Sequence, residues 1–306
     1  MRLLTFASPG GPRLGALSNG AVFDLAEEAE ALGLPPLPTE MLAFIEGGDE
    51  ALRAARATLD AAHAAGRPGR PLGDVRLLAP IPRPRKNVMC VGLNYAEHAR
   101  ESRSVSGPDL PAVPVFFTKA PTCVIGPDEP IPYPEGVSEA VDWEAELVVV
   151  IGRRVRDVPA PEALACVFGY TAGNDVTARD LQRAHQQWFK GKSLDGFCPL
   201  GPWIVTADEI PDPQALRIRL RVDGVTKQDA TTADMITPVA GLIASLSAGM
   251  TLEPGDLLMT GTPAGVGIGR EPPEFLRPGN VVEVEIERIG TLRNPVVAAE
   301  RSALSA

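Results

Sequence analysis

The chain is poor in the residues that usually announce a metal or redox site. It has three histidines and four cysteines in 306 residues. Cys90, Cys123, Cys166 and Cys198 are widely and unevenly spaced, with no Cys-x-x-Cys pair, so buried free thiols are expected rather than a thiolate metal site. There is no basic excess: 29 Lys and Arg stand against 39 Asp and Glu, a net charge of -10. That balance argues against a nucleic-acid or anionic-membrane partner, because a phosphate-binding face needs positive charge. An anionic substrate would require its own local cations. No apolar run approaches the ~20 residues of a membrane span. The opening apolar patch is broken by Pro9-Gly10-Gly11-Pro12, unlike a secretory signal, and a cytoplasmic location is expected.

What is there reads as a large domain preceded by a small one. Residues 2–6 and 13–24 look like short strands, with Asn19-Gly20 supplying a tight hairpin turn. Helical patterns come next at 40–46 and 50–65. Residues 66–71, continued by 80–84, read as a linker rich in Gly and Pro. Residues 1–75 form a small α+β unit with no residue set that indicates chemistry, a spacer or docking surface. Residues 76–306 then change texture to short strands, many turns and few long helices, so the fold class is α+β, mostly β. Strands are expected at 87–91, 115–119, 145–151, 167–172, 204–206, 216–222, 257–260 and 282–287, with Pro199 to Trp203 as a turn and Asp223-Gly224 as a hairpin.

The stretch that organises the chain is Val141 to Ile151, which from Ala145 onward reads as a short apolar strand, with Glu144 and Glu146 at its entry. An i, i+2 spacing in a strand places both carboxylates on one face. Like charges in a half-buried place repel unless a cation lies between them; the alternative is a wet strand end. Asp175 falls at the end of another strand, where it either completes an oxygen-ligand metal site or caps the helix that opens at Ala178. His98 and Glu101 share a face of a short helix at i, i+3, a general-base arrangement or a fortuitous surface pair. The polar segment 102–114 beside them has the look of a lid. Gly191-Lys192-Ser193 lacks the upstream Gly of a phosphate loop, since Gln186 stands there, so a nucleotide site is rejected. Lys192 is then a substrate cation or a surface lysine. The glycine-rich run 261–269 lets backbone approach a ligand closely.

These pieces together resemble the fumarylacetoacetate hydrolase family, in its longer bacterial members with an N-terminal extra domain. The carriers are Gly92-Leu93-Asn94-Tyr95 through Glu101, Asp142-Trp143-Glu144-Ala145-Glu146-Leu147, Gly173-Asn174-Asp175 through Gln182, Gly191-Lys192-Ser193, and Thr260-Gly261-Thr262 through Gly267. The resemblance implies a mixed β-roll or barrel core, a homodimer, and one Mg or Mn ion per chain on Glu144, Glu146 and Asp175. It implies a dyad of His98 and Glu101 on a closing lid, an active-site Lys192, and substrate contacts at Arg179, Gln182 and Thr262. Lys119 is placed with them, or behind the carboxylates as a support.

Three carboxylates suit a hard, oxygen-loving ion such as Mg or Mn, with Ca as a non-native occupant. A 2-oxo acid can chelate the open positions of such an ion. The leading expectation is an acylpyruvase-type hydrolase, which breaks the C3–C4 bond of a 2,4-dioxo acid using water activated by His98. Oxaloacetate decarboxylation and isomerisation of a 2-hydroxy-diene-dioate are alternatives on the same equipment. A non-catalytic scaffold tied by its ion is the reading from another class.

Overall fold

The computed structural model describes residues 1–101 and 112–299; most of the proposed lid, 102–111, lies outside the described residues. The architecture is mostly β: a 12-stranded sheet, a five-stranded sheet and a two-stranded ribbon. At the middle of the large sheet lies Ala145–Ile151, every residue of it buried. It is a near-continuous apolar run because both of its faces are covered. Its antiparallel neighbours are Val167–Asn174 on one side and Leu257–Met259 on the other. Beyond Leu257–Met259 come Val88–Gly92, in parallel, and Val115–Lys119 at the edge. The five-stranded sheet contains the hairpin Arg217–Val222 and Val225–Thr231, whose turn residues Asp223 and Gly224 take the positive φ values (50° and 76°) that their sequence favours. Neither sheet path returns on itself, so the core is open and no closed barrel forms among the described residues.

The other side of Val167–Asn174 holds Cys198–Thr206, which in turn pairs with Arg2–Ser8. The first residues of the chain therefore extend the large sheet: Arg2–Ser8 carries Gly11–Ser18, Ala21–Asp24 and Arg70–Pro71 outward, and Leu77–Leu78 pairs with it as well. One piece of the expected linker, Arg70–Pro71, is thus a strand, and Leu77–Leu78 between its two parts is another. Leu3, Leu14, Leu25 and Phe44 share one apolar core with Leu147 to Ile151, and Phe44 meets Phe168 edge-on with centroids 6.3 Å apart. Helix Leu25–Ala31, which the sequence pattern did not lead one to expect, starts where the Asp24 side chain accepts from Glu27 N–H at 3.1 Å.

Pro199 to Trp203 is a strand segment rather than a turn. Tyr170 faces Val205 and Ala172 faces Gly201, so Pro202 and its neighbours fall in a bulge on the Cys198–Thr206 strand. A residue without an N–H is tolerated there because the ladder is already interrupted. No helix among the described residues is long and apolar enough to cross a membrane.

Candidate metal centre and active site

The site begins where the central strand starts. Asp142 Oδ1 accepts from its own successor, Trp143 N–H, at 2.8 Å, and Glu144 N–H donates to Asn174 Oδ1 at 3.0 Å. Side chains take the ladder's place over these residues. The strand expected from Ala145 is present as Ala145–Ile151, and a separate short strand, Val141–Asp142, precedes it across a step. The step brings Glu144 and Glu146 together with Asp175, which comes directly after the paired strand Val167–Asn174. One carboxylate oxygen from each of the three lies within 4.8 Å of the others, and all three side chains are buried.

Cations surround this cluster. Lys192 Nζ donates to Glu144 Oε2 at 2.8 Å and to Asp175 Oδ2 at 2.7 Å. Arg179 pairs with Glu144 Oε1 at 2.7 Å and with Asp142 Oδ2 at 2.8 Å. Lys119 Nζ donates to Asp175 Oδ1 at 2.5 Å and to the Val176 carbonyl at 3.1 Å. Burial pushes the Glu144 carboxyl up, but Lys192, Arg179 and His98 outweigh that and hold it at about 2. At Glu146 the pull of Lys192 and of the Gly261 N–H is outweighed. Burial, then the charges of Asp175 and Glu144, drive it well above its ordinary value. A pair of ligands drawn in opposite directions, with acceptor oxygens only, fits a divalent oxygen-seeking ion, whose charge would reverse the effect on Glu146. Glu144, Glu146 and Asp175 are the residues that would hold it.

The expected short helix is present as Ala96–Glu101, and His98 Nδ1 lies 3.1 Å from Glu101 Oε1. Glu101 is itself anchored: both of its oxygens accept from Gly265 N–H, at 3.0 and 3.1 Å, and Oε1 also from Val266 N–H at 3.3 Å. The same loop reaches the metal cluster, since Gly261 N–H donates to Glu146 Oε2 at 2.7 Å. It reaches Asp142 as well, through Gly267 N–H at 2.6 Å and Ile268 N–H at 3.0 Å.

His98, Glu144, Arg179, Gln182, Lys192 and Thr262 converge on one cavity of about 20 Å³, room for roughly one water, walled otherwise by Val91, Gly92, Leu93, Phe117 and Trp188. Six positions singled out from the sequence therefore share a single space. Asp175 and Glu101 stand behind this lining, bonded to Lys192 and His98, and Glu146 lies beside Glu144 in the cluster. Lys119 is wholly buried, bonded to Asp175, and is not among the lining residues. Sequence reasoning gave no role to Asp142, Phe117 and Trp188. Asp142 carried a signal: it precedes Glu144 by two, continuing the alternation of acids. Trp188 carried none, because its place depends on Gly92, far away in the chain.

The sequence and the fold have known counterparts. The family described as fumarylacetoacetate hydrolase C-terminal matches residues 87–297, leaving the N-terminal 1–86 outside the match. The Bacillus subtilis (strain 168) oxaloacetate tautomerase YisK is 42% identical over 283 residues, covering 90% of this chain and 92% of that protein. A mitochondrial oxaloacetate tautomerase of Bos taurus, FAHD2A, is 43% identical over 303 residues, covering 97% and 92%. Among solved structures, the 2-hydroxyhepta-2,4-diene-1,7-dioate isomerase of Mycobacterium marinum superposes with a TM-score of 0.74 at 38% identity, over 98% of this chain and 100% of that one.

Proposed function

The chain belongs to the fumarylacetoacetate hydrolase family, and within it we propose an enzyme that interconverts the enol and keto forms of oxaloacetate with the help of a divalent ion. The observation that carries the reading is the single cavity into which His98, Lys192, Arg179 and the cluster carboxylate Glu144 all converge. The names of the relatives, oxaloacetate tautomerases and an isomerase of a 2-hydroxy-diene-dioate, support the reaction class.

Bound Mg or Mn would supply Lewis-acid stabilisation of negative charge on the 2-oxygen. The rest falls to side chains. Lys192 and Arg179 draw the dianionic substrate into an acidic protein. With Nδ1 turned toward Glu101, proton exchange is assigned to His98 Nε2, and the carboxylate fixes the tautomer and the ring's orientation. From the keto form, His98 Nε2 takes the proton from C3 and hands it on to the 2-oxygen, so a C–H bond breaks, an O–H bond forms, His98 ends as it began and no water is added. Ketonisation runs the same transfers backwards. Hydrolysis of a 2,4-dioxo acid would need the same base to act on a water attacking C4, in addition to the chelated substrate. The protein is further proposed to work as a homodimer, which a solution mass of twice 32.3 kDa would bear out.

The test is turnover in the Mn-loaded protein. Loss of oxaloacetate enol absorbance should be accelerated by the wild type. His98→Ala should lower kcat by about a hundred-fold to ten-thousand-fold with Mn affinity unchanged. Rapid cleavage of acylpyruvates by a protein inert toward oxaloacetate enol would replace this reading with the hydrolase; carbon dioxide release at the same rate as enol loss would replace it with the decarboxylase.

A further inference from the structure

Trp188 is the residue of the cavity whose position the proposed chemistry does not require. Its backbone carbonyl accepts from Lys192 N–H at 3.1 Å, so the indole and the site lysine lie one turn apart on the same short segment, Phe189–Lys192 preceded by Trp188. The indole meets the Phe117 ring edge-on, centroids 5.2 Å apart, and Lys192 Nζ stands 5.1 Å from the centroid of that Phe117 ring. Below the indole is Gly92, at the end of strand Val88–Gly92. A Cβ there would fall 2.9 Å from Trp188 Cη2 and closer still to Cζ3. Gly92 is not one of the glycines at positive φ, so what keeps a side chain off this position is the indole, not the backbone. The ring is half-buried, seated on a bare backbone position and braced by a second aromatic ring.

We infer that Trp188 sets the length of the substrate: seated on Gly92 and braced by Phe117, its indole closes the cavity so that short 2-oxo acids fit and longer ones are turned away. This rests on the proposed reading that the site takes a 2-oxo acid. The polar groups of the cavity, Lys192, Arg179 and Glu144, gather at the carboxylate cluster, so a chelating 2-oxo acid head belongs there. The apolar part of the lining, Val91, Leu93, Phe117 and Trp188, is what remains for the tail of such a ligand. A rigid indole is a suitable stop, because it has few rotamers to lose and cannot be compressed. Added methylenes that find no space are rejected by about ten-fold or more.

The experiment is a binding series by calorimetry, with pyruvate, 2-oxobutanoate, 2-oxohexanoate and 2-oxooctanoate titrated into the Mn-loaded full chain. In the wild type, affinity should fall by at least about ten-fold from pyruvate to 2-oxohexanoate. In Trp188→Ala, or in Trp188→Leu should the first variant fold poorly, the fall should vanish while pyruvate affinity changes little. Gly92→Ala should weaken every ligand in the wild-type background and have little effect in Trp188→Leu, the coupling expected of two groups in contact. A wild type that binds 2-oxooctanoate as tightly as pyruvate overturns the inference, as does a Trp188→Leu variant that keeps the full discrimination. Oxaloacetate turnover measured on the same wild-type sample separates the two claims. A steep series without turnover sinks the tautomerase and spares the length filter; turnover with a flat series does the reverse.

Discussion

Glu146 is a carboxylate held where its charge is unwelcome until an ion arrives. Its folded value lies well above the ordinary 4.5, through burial and then through Asp175 and Glu144. The folded, metal-free chain therefore keeps a proton that the unfolded chain releases. The stability linked to that proton is fully present below 4.5 and is lost as pH rises through the raised value. Glu146→Gln removes the titrating group but keeps an oxygen that can accept from Gly261 N–H. In EDTA, its Tm should fall less steeply with rising pH than that of the wild type and should be the higher of the two at pH 8. Saturating Mn should reverse that order, because only a chain that binds the ion gains from it, by about 2.7 kcal/mol at a hundred times Kd. A variant less stable than the wild type throughout the EDTA series would show that Glu146 is ionised and satisfied without the ion. Lys119, by contrast, is a residue whose type the sequence offered for two roles; in the structure it is fully buried, bonds Asp175 and does not line the cavity.

At the scale of elements, the loop 261–269 joins parts of the site that are remote in the chain. Its amides take Glu146 at Gly261, Glu101 at Gly265 and Val266, and Asp142 at Gly267 and Ile268. Glycine is needed here for close approach: a Cβ on Gly267 would run into the Glu274 carbonyl and lie 2.7 Å from Asp142 Oδ1. Asp142 is the node, since it also accepts from Arg179 Nε at 2.8 Å. Asp142→Ala strips a fully buried guanidinium of one partner and leaves three amides, those of Trp143, Gly267 and Ile268, without their acceptor. A loss of about 3 kcal/mol or more is expected, read from denaturant midpoints, with Asp142→Asn recovering much of it. Because Arg179 faces the cavity, KM for oxaloacetate should rise in both variants. An Asp142→Ala protein of wild-type stability would mean that Glu144 alone suffices to hold Arg179.

For the whole molecule, the chemistry lies at the centre of a sheet whose outer strands come from the first residues. Arg2 faces Val205 and Leu3 faces Ile204, so residues 1–78 cover one side of Cys198–Thr206, the strand next to Val167–Asn174 that leads to Asp175. A chain beginning at residue 79 should expose that strand as an unpaired apolar edge and aggregate, as light scattering of the refolded protein would record. Recovery of a monodisperse fragment with wild-type Mn affinity would establish instead that 79–306 folds on its own. The sheet order also explains why the N-terminal part read as separate. Its composition and its linker-like Gly and Pro residues are local properties, whereas its pairing to residue 205 is not.

Much of the site was legible along the chain. The alternation that carries Glu144 and Glu146 into a buried strand, the strand end at Asp175, the i, i+3 pair His98 and Glu101, and the turns at Asn19-Gly20 and Asp223-Gly224 are all short-range patterns. Backbone geometry alone ties each to a place. The ordered set of motifs identified the family. Tertiary structure decided what no local pattern encodes: the step at Trp143-Glu144 that turns the acids inward, the loop amides that hold Glu101 and Asp142, and the strand through Pro199 to Trp203. It also decided the joining of the first strands to the large sheet and the seating of Trp188 on Gly92. Each of these is a choice of partner between residues far apart in sequence. Such choices are made by packing volume and by the need to satisfy buried charges and amides, terms that exist only once the chain has folded.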